Sequence, residues 1–419
     1  MKGLGSLAWR SAWSRRYGLS WVAVSIALAT FLMLCLEQLR HDVRQHFAQS
    51  VSGTDLIVGA RTSSTALLLY SVFRIGNATQ NIRWSSVEAL ARDPAVAWVI
   101  PISLGDSFQG YPVVATQASF FEHFRYGERQ RLTMAQGRPF TDLLDAVVGA
   151  EVAQRLGLRI GQRITLSHGS GAFQAHDHDD RPFTVTGILG RTGTPVDRSV
   201  HISLQGMEAL HVDWVAGMPS REAIHTDQLR SMDLTPRSVT AALIGLKSRA
   251  AVFSMQRSIS DFQAEPLMAI LPGVALDELW NTVATGEQAL ELMVGIVALV
   301  SLLGLVAAVN AGLEQRRHEL AVLRSLGAGP TRVFALLLIE GLVVTTLAVL
   351  GGILLTMLVL FGLGDWIGSH YGITVSLQAP LNRQLLMIAG ILLAGVAASA
   401  LPGWRAYRLS SADGLQPRP

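Results

Sequence analysis

Four windows of the chain are apolar for about the 20 helical residues needed to cross a hydrocarbon core of roughly 30 Å. They run over 18–39 (GLSWVAVSIALATFLMLCLEQL), 289–313, 333–363 and 385–401. The third is long enough to tilt or to project beyond the bilayer. Between the first two windows the pattern changes to short apolar and β-branched runs separated by Gly, Pro, Asp and Ser. Those runs predict strands at 55–59, 95–104, 112–116, 146–148, 163–167, 183–189 and 239–246. Helical spacing predicts helices over 63–73 and 249–262, and another running through Arg92, with Ser85 as its cap and Glu88 as the reciprocal partner of a capping box. From Asp277 a helical pattern runs into the second window with only Gly286 as a weak interruption. This is the pattern of a stalk rising from domain into membrane. The expected fold is an α-helical membrane protein with four transmembrane helices plus a large α+β extracytoplasmic domain between helices 1 and 2.

Basic residues at the window ends set the orientation. Lys2, Arg10, Arg15 and Arg16 precede the first window; Arg316, Arg317, Arg324 and Arg332 follow the second; Arg405, Arg408 and Arg418 follow the fourth. The expected division is therefore cytoplasmic 1–17, membrane 18–39, extracytoplasmic 40–288, membrane 289–313, cytoplasmic 314–332, membrane 333–363, a short outer loop 364–384, membrane 385–401 and a cytoplasmic tail 402–419. Residues 41–289 hold 21 basic against 24 acidic groups, a net of −3, as befits the far side. No small-x-small cleavage site follows the first window, and Leu34 is too bulky to precede a lipid-modified Cys35, so that window reads as an uncleaved span.

Composition agrees. Half of the residues are hydrophobic and 16% charged, with a mean hydropathy of +0.35, too apolar for an ordinary soluble protein and too polar for a chain that is all membrane. Cys35 is the single cysteine, which excludes an intramolecular disulfide. The isoelectric point near 9.3 comes from the cytoplasmic flanks and does not point to nucleic acid.

Between the second and third windows lies E-Q-R-R-H-E-L-A-V-L-R-S-L-G-A-G-P, residues 314–330. Leu313, Leu320 and Leu323 recur at helical spacing among charges, and Gly327 and Gly329-Pro330 stop the helix. An amphipathic face of this kind is more than a topology signal requires; it reads as a docking surface. No phosphate-binding loop exists to hold nucleotide: Lys2 and Lys247 are the only lysines, and Leu246 precedes the latter. No nucleophile elbow and no catalytic residue are recognisable, so any ATP belongs to a separate subunit.

The segment Glu314–Ala328 resembles the signature that follows the second span in FtsX-like/MacB-like ABC transporter permeases. The tail L-P-G-W-R-A-Y-R-L-S-S-A-D-G-L (401–415) is similar to that family's last segment. The stretches V-V-G-A-E-V-A-Q-R-L-G-L-R-I-G-Q-R-I (147–164) and F-T-V-T-G-I-L (183–189) resemble its outer domain. The resemblance implies an ATPase contact on Glu314, Arg316, Arg317, Glu319, Leu320, Leu323, Arg324, Leu326 and Gly327, supported by Arg405 and Arg408. It also implies a bacterial inner-membrane permease that relays ATP-driven motion from an ABC ATPase to a periplasmic domain, to export or extract a lipoprotein, peptide, lipid or drug. The expected partners are that ATPase, a second permease copy in a homo- or heterodimer, membrane lipid and a periplasmic protein. The alternative reading is a mechanotransmitting regulator of envelope enzymes.

One stretch stands apart chemically. S-H-G-S-G-A-F-Q-A-H-D-H-D-D (167–180) brings His168, His176, His178, Asp179 and Asp180 within a few residues, a donor set suited to Zn²⁺, although Asp, Gly and Ser also suit a plain loop. His123, His201, His211 and His225 read as structural, and Thr192–Arg198 as a turn built on Gly193 and Pro195. Within the apolar windows, Gly304, Gly351, Gly352 and Gly395 read as close-packing points, and Glu340 as a group placed near the cytoplasmic edge.

Overall fold

A computed structural model describes residues 16–50, 52–169, 181–212, 214–215, 218–219, 226–315, 329–371 and 382–408. These fall into two units. One comprises 1–42, 284–368 and 375–419; the other comprises 43–283 and 369–374.

The second unit is built on eleven strands: β1 (Leu56–Ala60), β2 (Val96–Phe108), β3 (Tyr111–Thr116), β4 (Met134–Gly137), β5 (Asp145–Val148), β6 (Arg163–Ile164), β7 (Ser167–His168), β8 (Phe183–Leu189), β9 (Val200–Ser203), β10 (Ala241–Leu246) and β11 (Leu267–Ile270). Their order across the sheet is β11-β1-β10-β2-β3-β9-β5-β8-β4, with β7 on β2 and β6 on β8. Pairing is antiparallel except between β9 and β3 and between β8 and β5. Both faces are covered. Leu56, Val58, Val113, Ala115, Ala146 and Val148 face one layer, while Ile57, Val114 and Val147, between them in sequence, face the other. That double burial is why these strands read as continuous apolar runs and not as alternations.

Helices α3 (Trp84–Ala91), α5 (Ala150–Leu156), α6 (Leu204–His211) and α7 (Val252–Ser260) bury Val87, Val152, Met207 and Ile259 on the first face. On the other face lie α2 (Ser64–Leu68), its continuation as a π-turn over Leu69–Phe73, and α4 (Ser119–His123), with Leu67, Phe73 and Phe120 buried. The cap expected at Ser85 is not formed. Arg83 occupies the cap position of α3 without a side-chain bond, and Ser85 lies inside the helix. Glu88 instead accepts from Trp84 Nε1–H at 2.9 Å and pairs with Arg92 at 3.2 Å. The indole, one helical turn away, competes for the carboxylate that a capping box would have used. Ser63, by contrast, does cap α2, accepting from the Ala66 amide at 3.1 Å.

The membrane unit contains long apolar helices. They belong to α1 (Arg16–Gln49), α8 (Pro272–Gln315), α9 (Pro330–Tyr371) and α10 (Asn382–Arg408), each long and apolar enough to cross a membrane. α9 is the hub, with Val333, Leu337, Val344, Ala348 and Val349 buried. Its approaches depend on small residues. A Cβ on Gly341 would lie 1.7 Å from Ser399 Oγ of α10, one on Gly395 would lie 2.4 Å from Thr345 Oγ1, and one on Gly352 would lie 2.7 Å from the Ala27 carbonyl of α1. Gly304 differs from expectation, since a Cβ there meets nothing within 4 Å among the described residues. It lies on α8, the span with the smallest buried share, where neighbouring Leu303 is exposed.

Candidate functional site

At the inner end of the spans, α8 is described as far as Gln315, and α9 begins after Gly329 with Pro330 at its first position, where a missing N–H costs nothing. Glu314 lies in the last described turn of α8. Arg316, Arg317, Glu319, Leu320, Leu323, Arg324, Leu326 and Gly327 lie outside the described residues. Arg405 and Arg408 fall in the last turns of α10. Near the start of α9, Thr331 and Phe334 of that helix and Ala397, Ala400, Leu401 and Trp404 of α10 line an apolar cavity of about 470 Å³. Trp404 is more than half exposed there. Glu340, two and a half turns along α9 from Thr331, is only 2% exposed, so it is packed into the bundle and not held at the surface.

At the outer end, charges that the apolar windows had hidden tie three helices together. Arg40 of α1 pairs with Glu287 at 3.0 Å and Glu291 at 2.8 Å, both on α8. Arg383 of α10 reaches the same Glu291 at 2.8 Å and Glu37 of α1 at 3.3 Å. Gln384 Nε2 donates to Gln38 Oε1 at 3.1 Å, and Gln38 donates in turn to Asp42. An isolated surface ion pair contributes only about 0–1 kcal/mol. Here one carboxylate serves two guanidiniums and one guanidinium two helices, so each pair is partly ordered by the others. The network fixes α1, α8 and α10 to one another where the spans leave the membrane. The available signal was the clustering of Glu and Arg at three window ends, Glu37 and Arg40, Glu287 and Glu291, and Arg383.

In the extracytoplasmic fold, His168 on β7 meets two residues from elsewhere in the chain. Its Nδ1 lies 3.1 Å from Asp106 Oδ1 on β2 and 3.2 Å from His211 Nε2 on α6. His211 Nε2 is itself 3.5 Å from Asp106 Oδ1. Pairing of β7 with β2 sets His168 opposite Asp106, and α6 delivers His211 from its last turn. Burial alone would lower the His211 pKa; the hydrogen bond and charge of Asp106 more than reverse this and raise it. His176, His178, Asp179 and Asp180, expected to join His168, lie outside the described residues.

The Thr192–Arg198 turn is also built around a carboxylate. Asp197 accepts from the amides of Thr192 and Gly193, at 2.8 and 2.7 Å, and from the Thr192 hydroxyl. The backbone carbonyls of Val196 and Asp197 press on Gly149, where a Cβ would lie 2.3 Å from the Val196 oxygen and 2.4 Å from that of Asp197. That close approach, and not positive φ, is what requires glycine between β5 and α5. No chemistry beyond holding the turn is apparent.

Residues 20–260 match the family model of the MacB-like periplasmic core domain, and residues 291–411 match that of the FtsX-like permease C-terminal region. Among solved structures, the chain is similar to the periplasmic region of MacB from Actinobacillus actinomycetemcomitans, at 10% identity over 56% of this chain and 98% of that one, TM-score 0.35. It is also similar to the extracellular domain of the noncanonic ABC-type transporter YknZ from Gram-positive bacteria, at 11% identity over 52% and 99%, TM-score 0.30. No curated protein matches it.

Proposed function

Since the chain belongs to the MacB-like/FtsX-like ABC permease family, we propose that it takes force from a separate ABC ATPase at residues 314–328 and delivers it to its extracytoplasmic domain. It is a multi-pass membrane protein of the permease or mechanotransmitter kind. The observation that carries the reading is α8. It is one uninterrupted helix of 44 residues, about 66 Å long at 1.5 Å per residue, more than twice a hydrocarbon core of about 30 Å. An uninterrupted helix resists bending because every internal backbone bond would have to yield together, so displacement at Gln315 is carried along its length. The outer Arg40–Glu291–Arg383 network spreads it across α1 and α10.

A single chain with four spans leaves much of α8 uncovered: Leu292, Met293, Leu299, Val300 and Leu303 are all more than half exposed. Lipid or a second permease meets that face, and a symmetric machine needs two permeases with two ATPases. The setting is the bacterial inner membrane, and the cargo is handled by the periplasmic domain; its class is a lipoprotein, peptide, lipid or drug. Purification of the tagged full chain in mild detergent, with mass spectrometry of what accompanies it, tests the reading. The expected result is an ABC ATPase in equimolar amount. Absence of any nucleotide-binding protein would overturn it.

A further inference from the structure

We propose that Asp106, His168 and His211 form a binding site for a zinc-type divalent ion on the extracytoplasmic domain. The three donor atoms lie 3.1, 3.2 and 3.5 Å apart. Ligand atoms about 2.0–2.1 Å from a tetrahedral ion are separated by about 3.3–3.4 Å, so one ion fits against all three with little adjustment. Two imidazoles and one carboxylate favour zinc or a neighbouring late transition metal over magnesium or calcium, which take oxygen sets.

Two independent features show that the site is built and not merely crowded. The first is Asp106. Its side chain has no exposure, and its Oδ2 has no hydrogen-bond partner among the described residues. A carboxylate withdrawn from water with one oxygen unpartnered is costly to hold unless a cation stands beside it. The second is the tautomer of His211. The Met207 carbonyl can only accept, so His211 Nδ1–H donates to it at 2.9 Å. In the neutral ring this leaves Nε2 as a lone pair turned toward Asp106 and His168. A backbone carbonyl holding the far nitrogen of a ligating imidazole is the usual outer support of a metal site.

The placement of α6 is also fixed in advance. Arg181, only 2% exposed, donates to the carbonyls of Ala209 and Leu210, so the turn that carries His211 is anchored from the sheet side. Side-chain exposures of 42% at His168 and 28% at His211 leave one side of the triad open to solvent. An ion could enter there and keep a water or another group as its fourth ligand. The site therefore shares only His168 with the loop-centred zinc site expected from sequence. It also stands apart from ATPase coupling, so either idea can fail without the other.

The test uses the full chain in detergent, stripped with chelator and titrated with zinc chloride against a chromophoric competitor. The wild type is expected to bind one ion per chain and to melt at a higher temperature with zinc than without. His211→Ala and Asp106→Asn are each expected to bind about 100-fold more weakly or worse and to lose the zinc-dependent rise in melting temperature. Comparison of each variant with and without zinc separates a lost site from a damaged fold. Absence of binding by the wild type would overturn the proposal, as would wild-type affinity in both variants. Loss of binding only on His176→Ala/His178→Ala substitution would move the site to the loop and equally overturn it.

Discussion

Replacing Leu323 by Asp is expected to leave the chain in the membrane but to reduce its co-purification with an ABC ATPase to background. The residue stands three positions after Leu320 in the sequence between α8 and α9, followed by Arg324 and by Gly327 and Gly329. A leucine at the centre of a docking face contributes about 2 kcal/mol or more. A carboxylate in its place must also be desolvated without a partner, at a cost of about 2 kcal/mol more. A total near 4 kcal/mol is about a thousandfold in affinity, enough to empty the complex during a wash. Leu323→Met, which keeps volume and polarity, is the control and should retain the ATPase. Wild-type recovery of the ATPase with Leu323→Asp would remove the docking face from this segment.

The second large effect concerns acid. His201 on β9 has no exposure and packs beside two aromatic rings, its centroid 5.2 Å from that of Phe120 and 6.2 Å from that of Phe121. Burial, and after it the charge of Arg74, lowers its pKa to about 3 from an ordinary 6.5. The folded ring therefore stays neutral where the unfolded ring takes a proton. The unfolded state binds more protons between pH 6.5 and 3, so this contribution is complete above about 6.5 and is lost as the pH falls. The steepest loss is about 1.4 kcal/mol per pH unit, or about 2 kcal/mol at pH 5. His201→Phe should abolish that component. Glu151, Asp197 and Glu208 have pKa values raised chiefly by burial and act in the opposite sense, so the informative quantity is the difference between wild type and variant. Urea unfolding of the full chain in detergent, followed by tryptophan fluorescence at pH 7 and pH 5, measures it. Equal pH dependence in the two proteins would contradict the assignment.

The apolar windows were legible because a lipid environment demands long runs, and every backbone group in them is satisfied within its own helix. The central strands were legible for a related reason. Buried on both faces, β1, β5 and β10 leave little room for polar residues. The expected strand at 95–104 continues in fact to Phe108, through Gly105, Asp106 and Ser107, where polar residues look like the end of a strand. That extension is what places Asp106 opposite His168. β9, four residues long, and α6, eight residues long, were too short for periodicity to report, and they carry His201 and His211. The outer ion network was hidden differently, since its five pairing charges are spread over three segments separated by 251 and 92 residues between Arg40, Glu291 and Arg383. In each case the overlooked group lies where local preference yields to a contact made only in the folded chain.

Accessibility of the inward segment is the most direct test of the account. In a Cys35→Ser background, single cysteines at Ser325 and at Ser248 would be exposed to a membrane-impermeant maleimide in intact spheroplasts. The account predicts modification of Ser248→Cys at once and of Ser325→Cys only after the membrane is permeabilised. Labelling of Ser325→Cys in sealed cells would place the segment on the side where no ATPase can reach it.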